Sequence, residues 1–254
     1  MQKITKTVFS LVLLLNFSTS FAEQTIPNFT AIYDVTKAGI ALGEMKSIYS
    51  IDSNNNYTYS SKTEPTGIAR WFSSKTITET SSGKVKNKKH FPAMYDYKAS
   101  DGDKKKTTTI NFDYPNKKAT DITDNKTISL QIDSSITDRQ IVQILLMNDM
   151  LAGKTKLEYK VINKQEIKPY SFEILEQETV ETELGAFKTT PVVRKREGSS
   201  RETTLWLAHD LYFLPVKIKQ TKNGSDKFEM EIIKFEGINL PKPNKIQPQK
   251  EPAI

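Results

Sequence analysis

From Pro27 onward, apolar and polar residues alternate with period two along most of the chain. Phe29, Ala31, Tyr33 and Val35 are spaced by Thr30 and Asp34, the pattern of a strand with one face turned inward. The same spacing recurs at Ile110 and Phe112; at Ile128, Leu130 and Ile132; at Leu157, Tyr159 and Val161; and at Tyr170, Phe172 and Ile174. It returns at Val216 and Ile218 and at Phe228, Met230 and Ile232. With Leu42 to Ile51, Tyr57 to Thr63, Lys75 to Thr80 and Thr203 to Leu207 added, the pattern predicts at least nine or ten strands. Turn formers separate them: Asn54-Asn55-Asn56, Ser82-Gly83, Asp101-Gly102-Asp103, Asp124-Asn125, Gly198-Ser199 and Asn223-Gly224. Gaps this short favour antiparallel hairpins, because a parallel crossover needs about a dozen residues or more.

One segment breaks the alternation. Asp138 to Leu151 reads as a helix, with Thr137 as its N-cap, Gln140 completing a capping box and Gly153 as the stop. At 100° per residue its apolar side chains, among them Ile141, Ile144, Leu145, Met147 and Leu151, spread around most of the circumference. A helix apolar on nearly all sides is buried. In a chain of strands, the place that can bury it is the hollow of a curved sheet. The expected fold is therefore all-β with one main helix: a curved antiparallel sheet or incomplete β-barrel packed around a buried helix near 138–151, as a plug or a lid.

Domain organisation follows from the two ends. Lys3 and Lys6, the apolar run Val8 to Leu15 and the small-x-small site Ser20-Phe21-Ala22 read as a signal peptide over residues 1–22, cleaved near Ala22, which places the mature protein in the periplasm. Residues 23–239 form a single β-rich domain. Residues 240–254, with Pro241, Pro243, Pro248 and Pro252, read as an extended tail with little to bury. No further apolar segment reaches the ~20 residues of a membrane-spanning helix. There is no cysteine, which excludes disulfides and lipoprotein acylation.

Composition adds little: 37% hydrophobic and 26% charged residues are globular values, with enough polar surface for sheets that keep one wet face. The formal charge of +7 becomes +5 once Lys3 and Lys6 leave with the leader. Such mild basicity chiefly maintains solubility, and nucleic acid is not an expected partner outside the cytoplasm.

Candidate chemistry is sparse. The two histidines, His90 and His209, lie in no nucleophile motif, and no G-x-S-x-G elbow occurs. His209, beside Asp210 at a turn, reads as an imidazole making an ordinary hydrogen bond. No spacing suits zinc, and Asp101-Gly102-Asp103 is followed by Lys104, Lys105 and Lys106 where a calcium loop needs acids. Neither a cofactor nor a catalytic residue is assigned. Carboxylate pairs of the glycosidase kind stay open, because sequence spacing does not report their separation. The basic clusters Lys84, Lys86, Lys88, Lys89 and Lys104 to Lys106 fall at hairpin turns, where they block edge pairing or contact a membrane. Trp71 and Phe72 are adjacent, and on a strand neighbours face opposite sides. One ring is then expected in the core, with the other partly exposed by simple core packing or placed at a ligand pocket or rim.

Several local patterns together resemble the exported bacterial family catalogued as domain of unknown function 3108. They are Tyr33-Asp34-Val35 with Gly39-Ile40 and Gly43-Glu44; Phe91-Pro92-Ala93-Met94-Tyr95; Leu184-Gly185-Ala186-Phe187-Lys188-Thr189; and Trp206-Leu207-Ala208-His209-Asp210 before Leu214-Pro215-Val216. The resemblance covers about Phe29 to Phe235 and implies an exported all-β protein, with no catalytic residue to carry over. The hairpin from Trp206 to Val216 is also similar to those of periplasmic lipoprotein and lipid carriers, whose half-open barrels hold acyl chains. The resulting expectation is a non-enzymatic binder of an apolar, lipid-like ligand or envelope component, with Trp71, Phe72, Trp206 and Tyr212 near the mouth of a cavity beside the helix. The alternatives are an envelope assembly module with a filled core, recognising a protein partner, and, less favoured, a carboxylate-based glycan hydrolase.

Overall fold

The computed structural model describes residues 25–195 and 200–238. The leader, the Gly198-Ser199 turn and the tail from Leu240 lie outside the described residues. Sixteen strands are present among the described residues. The first eight are β1 (Phe29–Lys37), β2 (Ile40–Ile51), β3 (Asn56–Glu64), β4 (Thr76–Lys86), β5 (Lys89–Asp101), β6 (Lys104–Asp113), β7 (Lys118–Thr123) and β8 (Lys126–Gln131). After β9 (Ile136–Asp138) comes the helix α1 (Val142–Leu151). There follow β10 (Leu157–Ile162), β11 (Ile167–Ile174), β12 (Glu178–Thr182), β13 (Gly185–Lys195), β14 (Arg201–Ala208), β15 (Leu214–Lys222) and β16 (Ser225–Glu236).

All belong to one sheet in the order β8-β7-β6-β5-β4-β3-β2-β1-β16-β15-β14-β13-β11-β10-β9, with β12 beside β13. Every pairing is antiparallel except β9 with β10. Among the described residues the sheet does not close by a hydrogen-bonded ladder; it rolls over itself. The overhanging strands β5 to β7 bring Tyr95, Ile110, Phe112 and Ala119 against Ile136 of β9 and Ile162 of β10, and this second apolar cluster seals the seam.

Alternation puts the expected residues inside. Phe29, Ala31, Tyr33 and Val35 of β1 are buried while their neighbours are half-exposed. The turns at Asp124-Asn125 and Asn223-Gly224 have positive φ at both central residues, the geometry that suits two-residue hairpins. Ser82-Gly83 departs from expectation: it is no turn but the interior of β4, at an irregularity in the pairing with β5. Gly83 faces Pro92 there, and a Cβ on it would come 2.1 Å from the carbonyl oxygen of Phe91. This glycine therefore marks close backbone approach rather than chain reversal.

The helix is the plug. None of its residues is exposed, and its side chains divide among separate clusters of the core. Ile144 and Met147 join Tyr33, Tyr49 and Tyr59; Leu146 packs with Leu157 and Leu207; Val142 packs with Val161 and Tyr170. Its start differs from the expected Asp138. Residues Ile136–Asp138 are drawn into the sheet as β9, and the expected Thr137–Gln140 capping box does not form. The Thr137 hydroxyl has no hydrogen-bond partner, and the Gln140 amide donates instead to Ser61 Oγ at 3.1 Å. Asp138 instead holds the turn that leads into the helix: its Oδ1 accepts the backbone N–H groups of Gln140 at 2.8 Å and Ile141 at 3.0 Å. The other end stops as expected. Gly153, at φ 68°, donates to Met150 O, and Lys154 donates to Asp149 O, the paired bonds of a Schellman cap.

Asp138 also ties the helix entrance to the sheet. Ser81 Oγ on β4 donates to its Oδ2 at 2.6 Å, and Tyr57 OH meets Ser81 Oγ at 3.0 Å. Beside it Arg139 pairs with Glu79 at 2.8 Å and lies over the Tyr97 ring at 4.6 Å. Burial raises the Asp138 pKa to about 6, above the value near 3.9 of an unfolded aspartate. The folded state thus holds this proton more tightly than the unfolded state, a contribution complete below about pH 4 and lost as pH rises through 6. Urea unfolding of wild type and Asp138→Asn at pH 4 and pH 7 should show the wild-type advantage shrinking by about 2 kcal/mol with rising pH. An advantage that stays constant or grows would show that the carboxyl is solvated.

Candidate binding cleft at the end of the helix

Curling around a ten-residue helix leaves the sheet longer than its plug, so both ends of the interior are recessed. At the C-terminal end of α1 lies a cleft of about 1670 Å³. Its apolar floor comes from Tyr49 and Ile51 of β2, Val85 of β4 and Leu145 and Leu151 of the helix, with Ile26 ahead of β1. Its rim is mostly cationic: Lys86, Lys88 and Lys89 at the β4–β5 turn face Lys154 beyond the helix, with Asp149 and Glu158 as the acids. Lys154 is bonded to Asp149 at 2.7 Å. The β4–β5 turn projects its lysines because Asn87 and Lys88 both take positive φ, which turns the chain in two residues.

His90 sits where rim meets floor. It is buried, its Nε2 is 2.8 Å from Tyr49 OH, and its ring lies edge-on to Tyr57 with centroids 4.9 Å apart. Nδ1 has no hydrogen-bond partner. Burial lowers the His90 pKa to about 4, so at neutral pH this is a neutral ring. His209 is held by Thr190 Oγ1 at 2.8 Å, the ordinary turn contact expected for it.

The second recess, about 380 Å³, lies at the helix N-terminus and is lined by Glu79, Arg139, Tyr170, Arg194 and Arg201 among others. Arg194 stacks on Tyr170 at 3.2 Å. Glu79 and Asp138 are neighbouring carboxyl groups, yet Glu79 is neutralised by Arg139, and both Asp138 oxygens are taken by Ser81 and backbone N–H groups away from solvent. That pairing builds structure rather than presenting an acid and a base to a substrate. Among the described residues no group of three or more acids and histidines could hold a metal ion.

None of the four aromatics predicted at the mouth lines this cleft. Trp71 and Phe72 stand at the opposite end of the sheet, in the connection between β3 and β4. There a short 3-10 turn, Gly67–Trp71, replaces the strand on which neighbours would face opposite sides. Both rings are 86% exposed, so the expectation of one core ring and one rim ring does not hold. Trp206 lies on β14, turned away from buried Leu205 and Leu207, with its Nε1 donating to Glu178 of β12 and Lys217 over its ring at 5.8 Å. Tyr212, at φ 55°, closes the turn between β14 and β15 and packs at the margin of the main core. The fold brings the last two near one hairpin and leaves the first two apart from them. The cleft residues carried one signal in the sequence, the lysine cluster at the β4–β5 turn. Their apolar partners come from distant segments and carried none.

Comparison with known families gives a match to the one described as Protein of unknown function (DUF3108), over residues 28–231. The chain belongs to this family. In this DUF3108 protein, motifs far apart in sequence meet in the interior: the hydroxyl of Tyr33, from Tyr33-Asp34-Val35, donates to the carbonyl of Pro215, from Leu214-Pro215-Val216, at 2.9 Å. Phe91-Pro92 is the segment that requires Gly83 opposite it. No curated protein matches the chain. Among solved structures, the DUF3108 chain is similar to one titled as a beta-barrel-like protein of domain of unknown function DUF1849 from Brucella abortus. The TM-score is 0.54 at 10% identity, covering 84% of this chain and 98% of that one. This likeness bears on the fold alone and agrees with an unclosed barrel.

The buried imidazole gives a direct check on the site. Nuclear magnetic resonance of the His90 ring should give a titration midpoint near pH 4, with stability contributed by the neutral ring present above pH 6.5 and lost as pH falls toward 4. A midpoint at or above 6 would mean that water reaches the ring and the floor is open.

Proposed function

We propose that this protein is exported and binds an anionic amphiphile, such as a fatty acid or lysophospholipid, in the cleft at the C-terminal end of α1. The observation that carries the reading is the pairing of an apolar floor with a predominantly cationic rim in a recess of about 1670 Å³. That volume exceeds the roughly 300–1,000 Å³ of pockets for drug-sized ligands. An acyl chain laid along Ile51, Val85, Leu145 and Leu151 gains roughly 0.8 kcal/mol per buried methylene. The rim lysines would hold the charged head in water, each adding at most about 1 kcal/mol at an exposed site. Among the described residues no helix is long and apolar enough to cross a membrane.

A second reading rests on the strand edge of β8, which ends the sheet with no strand partner among the described residues. Strand addition there would make the protein an envelope assembly module, with the helix filling the core.

Two measurements bear on the proposal. Displacement of a fluorescent fatty acid by oleate and by lysophosphatidylglycerol should show saturable binding. The double variant Lys86→Glu, Lys89→Glu should weaken it roughly tenfold, equivalent to about 1.4 kcal/mol. No saturable displacement by either probe would remove the amphiphile reading and leave strand addition. Separately, the intact mass of protein recovered from cells should correspond to a chain beginning at Glu23. Retention of Met1 to Ala22 would refute export by cleavage of that leader.

A further inference from the structure

The rim opposite the cleft carries the largest unexplained apolar exposure among the described residues. Trp71 and Phe72 are each 86% exposed, Ile68 is 79% exposed, and Ile40, at the start of β2, is 68% exposed. They are not the frayed surface of a core element: the 3-10 turn Gly67–Trp71 buries none of its residues and packs against β2. The connection is nonetheless anchored. Arg70 Nε donates to Pro65 O at 3.0 Å, and Ser74 Oγ accepts the N–H of Gly102 at 2.9 Å, tying the aromatic turn to the β5–β6 hairpin. That hairpin carries exposed Asp101 and Asp103 followed by exposed Lys104, Lys105 and Lys106, and Lys37, Arg70 and Lys75 lie along the same rim, so cations are in excess there. Protruding Trp and Phe rings within a fringe of cations form the composition that seats in the interface of a bilayer bearing anionic headgroups: rings at the headgroup boundary, lysines toward the phosphates.

We infer that this rim, with Ile68, Trp71 and Phe72 as the inserted residues and Lys104 to Lys106 as the electrostatic fringe, docks the protein on an anionic membrane surface. The excess of cations over Asp101 and Asp103 selects an anionic lipid surface over a second copy of the chain, whose matching rim would carry the same excess. Twelve-residue β2 runs from this rim to the cleft, about 40 Å, so docking leaves the cleft facing away from the bilayer. The inference does not depend on the cleft's ligand.

The test uses the purified full chain with vesicles of phosphatidylglycerol and phosphatidylethanolamine, against vesicles of phosphatidylcholine. Because the chain has two tryptophans, Trp206→Phe leaves Trp71 as the sole indole reporter. Cosedimentation with the anionic vesicles is expected, at least tenfold stronger than with the neutral ones and weakened by salt. Trp71 emission should shift to the blue and be quenched by brominated acyl chains. Ile68→Ser, Trp71→Ser, Phe72→Ser in one chain, whose sites are all exposed, should abolish cosedimentation, while Lys86→Glu, Lys89→Glu at the far end should leave it intact. Failure of the cleft reading would thus not be mistaken for failure of this one. The inference is overturned if the protein does not cosediment with anionic vesicles, if the triple variant cosediments as well as the wild type, if Trp71 emission is unmoved on binding, or if the rim instead pairs two copies in solution.

Discussion

A helix apolar on most of its circumference and with no exposed residue must be surrounded, and that requirement organises this molecule. Val142 to Leu151 has apolar side chains around most of its circumference, and they pack on separate patches of the sheet, leaving the side of Leu145, Asp149 and Leu151 at the cleft. An open sheet of this many strands would twist and splay. Here the plug gives its concave face something to pack on, and the overhang of β5 to β7 on β9 and β10 completes the enclosure with side chains instead of a ladder. Among the described residues, enclosure without hydrogen-bonded closure leaves unpaired strand edges at β8, β9 and β12, and two recessed ends.

Filling the interior this way has a polar cost, met by pairing. The core is unusually rich in tyrosine: Tyr33, Tyr49, Tyr57 and Tyr59 are all buried, and Phe29 packs among them. A buried hydroxyl left unpaired would cost about 1–3 kcal/mol, so their partners matter. Tyr33 reaches Pro215, Tyr49 reaches His90, and Tyr57 reaches Ser81 and through it Asp138. Of these, the Tyr57–Ser81–Asp138 chain links the tyrosine layer, the β4 strand and the helix entrance inside an apolar shell. Such a network fixes the helix's register against the sheet, a specificity that the all-round apolar pattern of the helix could not supply.

The two ends of the barrel differ in chemistry because the chain reverses differently at each. At the cleft end a two-residue turn lifts lysines above an apolar floor; at the other end the long β3–β4 connection, anchored through Ser74 and Pro65, exposes rings. In the sequence both appeared as the same feature, basic residues near hairpins. One set borders a recessed cleft and the other an exposed aromatic turn, and that difference in surroundings is why we propose a ligand for the first and a docking surface for the second.

Much of this was legible in the residues alone. Alternation at Phe29, Ala31, Tyr33 and Val35, the turn pairs at Asp124-Asn125 and Asn223-Gly224 and the apolar helix report local constraints, and local constraints are written in consecutive side chains. So is Gly153, whose positive φ ends the helix as expected. What the chain could not announce were relations between distant segments: that Gly83 yields to Phe91 and Pro92 rather than turning the chain, that Thr137 and Asp138 are drawn into β9 so that no Thr137–Gln140 capping box forms, and that Trp71 and Phe72 share an exposed turn. The cleft belongs to this second kind, since its floor and rim come from strands and turns whose meeting depends on how far the sheet curls. Curl is set by the volume of the plug and by the bulges between strands, quantities that exist only once the whole sheet has closed around the helix.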